Sequence, residues 1–223
     1  MKRKEIQMNR MWKYFVDATA QIIEEEGLEN VTIRKIADIA GYTASTVYNY
    51  FDELSHLIFF ASMRFLNPYI KELSFYMTTG KNSVEKYLLS WECFCNYSFN
   101  NPHIYNAIFN ADLGSKPEEL LNNYFEAYQN DLTGVSDEVK PLIFEHNISK
   151  RSKAVLQKAV EEGYLDSDDS EEINNMTILI WRGMLTTVLN KRRDYNPEEA
   201  AAETMRYVRK ITMNALKKPL ELS

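Results

Sequence analysis

Short polar side chains and tyrosine hydroxyls are concentrated between residues 42 and 50 of this sequence. Hydroxyl and amide groups of this size can hydrogen-bond to base edges in a DNA major groove, and tyrosine hydroxyls can donate to phosphates. Basic residues upstream add groups that could contact phosphates. The candidate DNA-contacting residues are therefore Lys4, Thr32, Arg34, Lys35, Tyr42, Thr43, Ala44, Ser45, Thr46, Tyr48, Asn49 and Tyr50.

Two short helices would position these residues. The first is indicated by an apolar face with i, i+3, i+4, i+7 spacing, formed by Ile33, Ile36, Ala37 and Ala40. Thr32 is a suitable N-cap for it, and Gly41 is a suitable residue for a left-handed turn at its end.

The second helix would begin after Thr43, whose side chain can cap it, and would carry Val47 and Phe51 inward at i and i+4. Two short helices around a glycine turn form a helix-turn-helix. The same spacing also fits a helical hairpin that is buried inside an all-helical protein.

The string GYTASTVYNYFDELSHLI, residues 41–58, resembles the helix-turn-helix signature of the tetracycline-repressor (TetR) family of bacterial transcription regulators. The upstream string EEEGLENVTIRKIA is similar to the end of that family's first helix and the start of its second. The resemblance implies a DNA-binding head followed by a helical body that binds an effector and dimerises. One departure is Leu54, because the family usually has a phosphate-contacting lysine there.

Composition predicts an all-α protein. The 223 residues include 7 Gly and 6 Pro, and no run of alternating β-branched residues indicates a sheet. The expected division is a helix-turn-helix head over residues 1–52 and a helical effector-binding and dimerisation domain over residues 53–223. No apolar stretch approaches the ~20 residues of a membrane span, so we expect a cytoplasmic protein without a membrane partner.

The net charge of -6 argues against a general nucleic-acid coat protein. Acidic residues outnumber basic ones even in the first 58 residues, so DNA contact would need the few cations to face the phosphates. A head that binds a protein partner instead of DNA is the alternative. No nucleophile elbow, phosphate loop, zinc-binding helix or glycine-rich dinucleotide turn indicates an enzyme, a metal site or a cofactor.

Apolar spacing predicts helices throughout the body. The helix after Asp52 should be interrupted near Pro68. Further helices are predicted over residues 83–99, 117–132, 137–162 and 170–192, and a last one begins at Pro197. The first helix of the chain should run from about Met8 to Glu26.

Fourteen Tyr and 11 Phe supply flat apolar walls, and they fit either a bulky helical core or a cavity for a small hydrophobic or aromatic effector. The candidate cavity residues are Trp91, Phe94, Tyr105, Phe109, Tyr124, Tyr128, Phe144 and Asn147.

The last two helices carry an apolar seam that could pack within the chain or against a second copy. The resemblance implies a homodimer through these helices, a double-stranded operator and regulation by an effector. The candidate interface residues are Ile173, Met176, Ile180, Gly183, Met184, Thr187, Met205, Val208, Ile211 and Thr212.

Overall fold

The structure, a computed structural model, describes the backbone of residues 3–114 and 117–220 and the side chains of residues 7–114 and 118–220. Every regular element in these ranges is a helix, which confirms the all-α prediction. The α-helices are α1 (Arg3–Glu26), α2 (Ile33–Ala40), α3 (Ala44–Tyr48), α4 (Leu54–Met63), α5 (Asn67–Thr79), α6 (Ser83–Asn100), α7 (Pro102–Phe109), α8 (Pro117–Ala127), α9 (Lys140–Phe144), α10 (Ile148–Glu161), α11 (Ser167–Leu189) and α12 (Pro197–Asn214).

The chain forms two compact units. The first consists of Met1–Asn67 and His103–Thr133, and the second of Pro68–Pro102 and Gly134–Ser223. In the first unit, α1 packs against α2 and α4. Its apolar face buries Phe15, Val16 and Ile22 completely.

The helix-turn-helix has the predicted caps. The hydroxyl oxygen of Thr32 accepts a hydrogen bond from the backbone N–H of Lys35 at 3.3 Å. The Thr43 hydroxyl accepts one from the Thr46 backbone N–H at the same distance. Gly41 ends α2 in the left-handed conformation, with φ 77° and ψ 31°. These local interactions fix where α2 ends and α3 begins.

Replacing Gly41 tests the turn. A Cβ atom at Gly41 would meet no other atom within 4 Å, so the cost of a side chain is conformational. We expect Gly41→Val to destabilise the head by about 2 kcal/mol or more, because β-branched residues resist positive φ. Gly41→Asn is the matched control, since asparagine tolerates this conformation, and urea denaturation compares the two. Equal losses of stability in both variants would show that the backbone conformation of Gly41 is not what the turn requires.

A break separates α4 from α5. Helix α4 ends at Met63, a 3₁₀ turn covers Arg64–Leu66, and α5 begins at Asn67. The predicted interruption near Pro68 is confirmed. Proline has no backbone N–H and its ring clashes with the preceding turn, so an uninterrupted α-helix is unfavourable there.

In the second unit, α6 packs against α10, α11 and α12. Its buried polar groups are paired across these contacts. The indole N–H of Trp181 donates to the Ser98 hydroxyl at 3.1 Å, and the Tyr87 hydroxyl donates to the Thr177 hydroxyl at 2.9 Å. Paired buried groups of this kind fix one relative position of the helices, because an unpaired one is costly.

The predicted single helix over residues 137–162 is wrong. Helix α9 stops at Phe144, Glu145 is extended with φ -91° and ψ 106°, and α10 starts at Ile148. Asn147 causes the new start, since its side-chain oxygen accepts from the backbone N–H groups of Ser149 and Lys150. Asparagine competes with helix continuation in this way and favours N-caps.

Three other predicted boundaries need smaller corrections. Helix α1 begins at Arg3 instead of Met8. Helix α8 ends at Ala127, and a separate 3₁₀ turn covers Gln129–Leu132. Helix α11 covers Ser167–Leu189. Within the described ranges, no helix is long and apolar enough to cross a membrane.

Candidate DNA-binding interface and ligand cavity

The outward face of α3 carries the predicted polar side chains. Val47 and Phe51 are buried and anchor the helix to the core of the first unit. The residues that remain exposed are Tyr42, Thr43, Ala44, Ser45, Tyr48 and Asn49, and Thr46 and Tyr50 are half-buried. Tyr48 is 56% exposed, so its hydroxyl can reach a partner. This face offers donors, acceptors and methyl groups of a size that suits a major groove.

Phe15 of α1 supports this face from below. Its ring centroid lies 5.7 Å from that of Tyr42 and 5.6 Å from that of Tyr50. It also lies 6.3 Å from the ring of Phe51, nearly perpendicular to it. One buried aromatic ring therefore positions both the turn and the end of α3.

The predicted basic contacts have different surroundings. Thr32 and Arg34 are exposed at the start of α2. The ammonium of Lys35 lies 2.6 Å from a carboxylate oxygen of Glu26. Both side chains of this pair are exposed, so the pair contributes little to stability. Lys35 can therefore exchange Glu26 for a phosphate. The side chain of Lys4 lies outside the described residues.

Leu54 is the first residue of α4 and is half-buried. It therefore supplies an apolar side chain where the resemblance implies a lysine.

Inside the first unit, a charged cluster joins α1, the 3₁₀ turn that follows α4 and the residue that follows α8. The guanidinium of Arg64 lies 2.6 Å from a carboxylate oxygen of Asp17 and 4.5 Å from the ring centroid of Tyr128. The Tyr128 hydroxyl donates to the same Asp17 oxygen at 3.0 Å, and burial raises the pKa of Tyr128. The Tyr124 hydroxyl donates to Asp131 at 2.5 Å.

Four of the predicted cavity residues belong to the first unit: Tyr105, Phe109, Tyr124 and Tyr128. The rings of Tyr105 and Phe109 lie 5.8 Å apart, and both residues are buried. The hydroxyls of Tyr124 and Tyr128 donate to Asp131 and Asp17 of the same unit.

Trp91 and Phe94 line a cavity in the second unit, with a volume of about 30 Å³. Their rings lie 5.3 Å apart and nearly perpendicular. The same cavity is lined by Tyr69, Leu73, Ser90, Leu142, Ile148, Arg151, Ser152 and Val155. Phe144 is 38% exposed and Asn147 caps α10, so these two predicted residues have other surroundings.

Arg151 is a functional candidate that sequence reasoning missed. It is 7% exposed although it is charged. Its guanidinium donates to the backbone carbonyl of Glu145 through Nε at 3.3 Å and Nη2 at 3.1 Å. Burial raises the pKa of Tyr69 to about 12, and the positive charge of Arg151 opposes that rise. Because guanidinium stays protonated, a permanent positive charge borders this cavity.

A second cavity, of about 350 Å³, adjoins the first and shares Leu142 and Val155 with it. Its other lining includes the apolar side chains of Met77, Pro141 and Ala154. At its rim, Glu138 accepts hydrogen bonds from Lys86 at 3.0 Å and Lys158 at 2.8 Å. These contacts hold the pKa of the Glu138 carboxyl below its usual value, chiefly through Lys158.

The predicted seam on α11 and α12 divides between the core and the surface. Ile173, Met205, Val208 and Thr212 are buried within the chain. Ile180, Met184, Thr187 and Ile211 are half-buried. Met176 and Gly183 are exposed, and Leu179 between them is 68% exposed, so the outward stripe of α11 runs through these three positions.

Comparison with known proteins agrees with this architecture. Residues 15–55, which contain the helix-turn-helix, match the sequence profile of a family described as bacterial regulatory proteins, tetR family. No curated protein sequence matches the chain.

Solved structures resemble the chain over nearly its whole length. RolR in complex with resorcinol has a TM-score of 0.60 and 16% identity, covering 98% of this chain and 100% of RolR. FadR of Thermus thermophilus, a TetR-family transcriptional repressor in complex with lauroyl-CoA, has a TM-score of 0.59 and 15% identity, covering 95% and 98%. The fatty acid degradation regulator FadR of Bacillus halodurans has a TM-score of 0.51 and 16% identity, covering 88% and 93%.

At these identities the solved structures show the fold alone, and the profile match adds the family of the head. That family consists of regulators and not of enzymes. Residues 15–55 therefore carry the helix-turn-helix module of the tetR family of bacterial regulatory proteins, and the fold of the chain resembles that of a TetR-family regulator.

Proposed function

We propose that the protein is a transcriptional repressor that binds a pseudopalindromic operator as a homodimer and is released by a small hydrophobic or aromatic effector. The observation that carries the proposal is the outward face of α3, where exposed polar side chains surround an anchored, capped recognition helix. Such a helix can enter a major groove while its first residues contact bases. A repressor role accords with the description of the Thermus FadR as a repressor.

A homodimer would place two such heads on one operator. The exposed apolar stripe through Leu179 is a suitable surface for a two-fold contact, in which the same residues of both chains meet. Two-fold symmetry implies half-sites about one helical turn, roughly 34 Å, apart. We place the functional boundary between a head of residues 1–52 and an effector and dimerisation body of residues 53–223, and we expect the protein to act in the cytoplasm.

Effector binding in the body would change operator affinity by biasing the conformations available to the heads. A coupling free energy of about 1–3 kcal/mol is enough for such regulation. The aromatic walls around Trp91 and Phe94 suit an apolar ligand. RolR and the Thermus FadR are described in complex with resorcinol and lauroyl-CoA, which shows how different the ligands on this fold are.

A gel-shift experiment with the DNA upstream of the gene, over a salt series and with the oligomeric state recorded, tests this function. A dimer whose affinity falls steeply as salt rises supports operator binding, because phosphate contacts release counterions. Salt-insensitive binding of another protein by the same face would favour the interaction module that the acidic composition suggests.

Two exposed residues of α3 should affect DNA binding in different ways. We expect Tyr48→Phe to weaken binding to all sequences equally, by about 1 kcal/mol, because its hydroxyl would contact a phosphate. We expect Asn49→Ala to lose about 1–3 kcal/mol of discrimination at one base position. Competition among operators with single base changes measures both effects. If Asn49→Ala leaves affinity and preference unchanged, Asn49 does not contact a base.

A further inference from the structure

Arg151 places a charge where the wall of a cavity is otherwise apolar or neutral. It projects from α10 on the same buried stripe as Ile148, Ser152 and Val155. Of the ten lining residues of the smaller cavity, all within the described ranges, Arg151 is the one that carries a charge. The side chain is 93% buried, since 7% of it is exposed. A ligand in this cavity would therefore meet a positive potential at short range and little water to screen it.

The groups around the guanidinium are arranged to hold an anion. The backbone carbonyl of Glu145 orients Arg151 by accepting from Nε at 3.3 Å and Nη2 at 3.1 Å. A carbonyl oxygen is neutral, so this contact fixes the position of the guanidinium without cancelling its charge. Ser152 lies beside it on α10 and accepts a hydrogen bond from the Trp91 indole at 3.1 Å. Guanidinium binds carboxylates bidentately, in a geometry that lysine cannot reproduce.

The dimensions indicate how the rest of the ligand lies. The cavity beside Arg151, about 30 Å³, has room for a group of carboxylate size. The adjoining cavity, about 350 Å³, has room for an apolar body. Leu142 and Val155 are common to both, and Leu142 belongs to α9, a helix of five residues. A ligand that occupies both cavities would therefore have to pass between these two side chains.

We propose that the effector is an organic acid, with its carboxylate bound by Arg151 and its aryl or alkyl body lying past Leu142 and Val155 in the larger cavity. This inference rests on the proposed function only in calling the ligand an effector. Binding of the acid is a property of the body, and it can be measured on the full chain without DNA.

Calorimetry with matched ligands tests the charge requirement. The probes are 4-phenylbutanoate, 4-phenylbutanamide and 4-phenylbutylamine, with benzoate and octanoate and their amides to vary the body. We expect the wild-type protein to bind at least one acid about tenfold or more tightly than its amide, and to bind the amine most weakly. If no acid is preferred over its amide at any body length, the proposal is wrong, and Arg151 serves only to hold the end of α9.

Substitutions test whether Arg151 causes the preference for the acid over the amide. We expect Arg151→Met to reduce acid affinity to that of the amide while amide binding stays within about threefold of wild type, because methionine keeps the apolar stem. Arg151→Lys keeps the positive charge and should retain part of the preference for the acid over the amide. If it does, the loss in Arg151→Met reflects the missing charge and not poor folding. Lys153→Met is the control, because Lys153 is an exposed lysine of the same helix and lines neither cavity. Lys86→Met tests the rim, because Lys86 borders only the larger cavity. Loss of the acid preference in Lys86→Met but not in Arg151→Met would move the acid group to the rim and overturn the assignment.

Gel shifts with the same acid separate the two proposals. Release of DNA by the preferred acid, and not by its amide, supports both. If the acid binds tightly but the protein binds no operator DNA, the ligand assignment is supported and the repressor function is contradicted. A salt-sensitive operator complex in a protein that shows no acid preference supports the repressor and contradicts the ligand assignment.

Discussion

Replacing Phe15 by alanine is expected to abolish operator binding by unfolding the head. Phe15 is completely buried, and its ring contacts those of Tyr42, Tyr50 and Phe51. Removing a buried phenylalanine costs about 3–5 kcal/mol, which is comparable with the whole stability of a small three-helix head. Hydrogen exchange should show lost protection in α2 and α3, and operator affinity should fall below detection.

Tyr14→Ala is the matched control for this change. Tyr14 is the preceding residue of the same helix, but it is 58% exposed, so its removal should change stability by less than about 0.5 kcal/mol. If Phe15→Ala keeps normal operator affinity, the recognition helix is positioned by other contacts and our account of the head is wrong.

Replacing Leu179 by lysine is expected to separate the two subunits of the proposed homodimer. Leu179 is 68% exposed in the single chain, in the middle of the outward stripe of α11. Burying a leucine side chain stabilises an interface by about 1.5–3 kcal/mol, and a two-fold contact buries the leucine of both subunits. A lysine at this position would instead bury a charge, which is unfavourable. We expect a monomer in light scattering, with operator affinity reduced about a hundredfold or more through loss of the second head.

Phe75→Lys controls for the loss of an exposed apolar side chain as such. Phe75 is 65% exposed on α5, away from the proposed dimer stripe in sequence and on another helix. We expect this variant to remain a dimer with unchanged affinity. A Leu179→Lys protein that is still dimeric would exclude the outward stripe of α11 as the interface.

The head could be predicted in detail from the sequence because its signals are local. The apolar spacing of α2, the caps Thr32 and Thr43, and the left-handed Gly41 each act over three or four residues. The break near Pro68 is local in the same sense, since proline alters its own turn. Helix propensity and capping therefore determined these elements, and the structure confirms them.

The body was harder to predict because its signals depend on tertiary contacts. Aromatic content alone did not show that the Tyr124 and Tyr128 hydroxyls are held by acids within the first unit. The apolar seam of α11 and α12 did not show which positions the chain itself buries, such as Ile173 and Val208. An amphipathic pattern gives the inward stripe of a helix but not the identity of what covers it.

One signal for the candidate ligand site was nevertheless present in the sequence. Arg151 occupies a position on the inward stripe of α10, three residues after Ile148 and four before Val155. A charged residue there contradicts the pattern, and such local inconsistencies are expected at functional sites. The prediction of one uninterrupted helix over residues 137–162 obscured this. In a single helix, the inward residues before and after Asn147 would not share one face, and they can both face inward only because α10 is a separate helix.

Selection of operators from a library of random duplex DNA, with the purified full-length protein, tests the central claim most directly. We expect a dimer to enrich a pseudopalindrome with half-sites about one helical turn apart, and the affinity for it to fall as salt rises. A folded dimer that enriches no sequence, even at low salt, would contradict DNA recognition by the exposed face of α3.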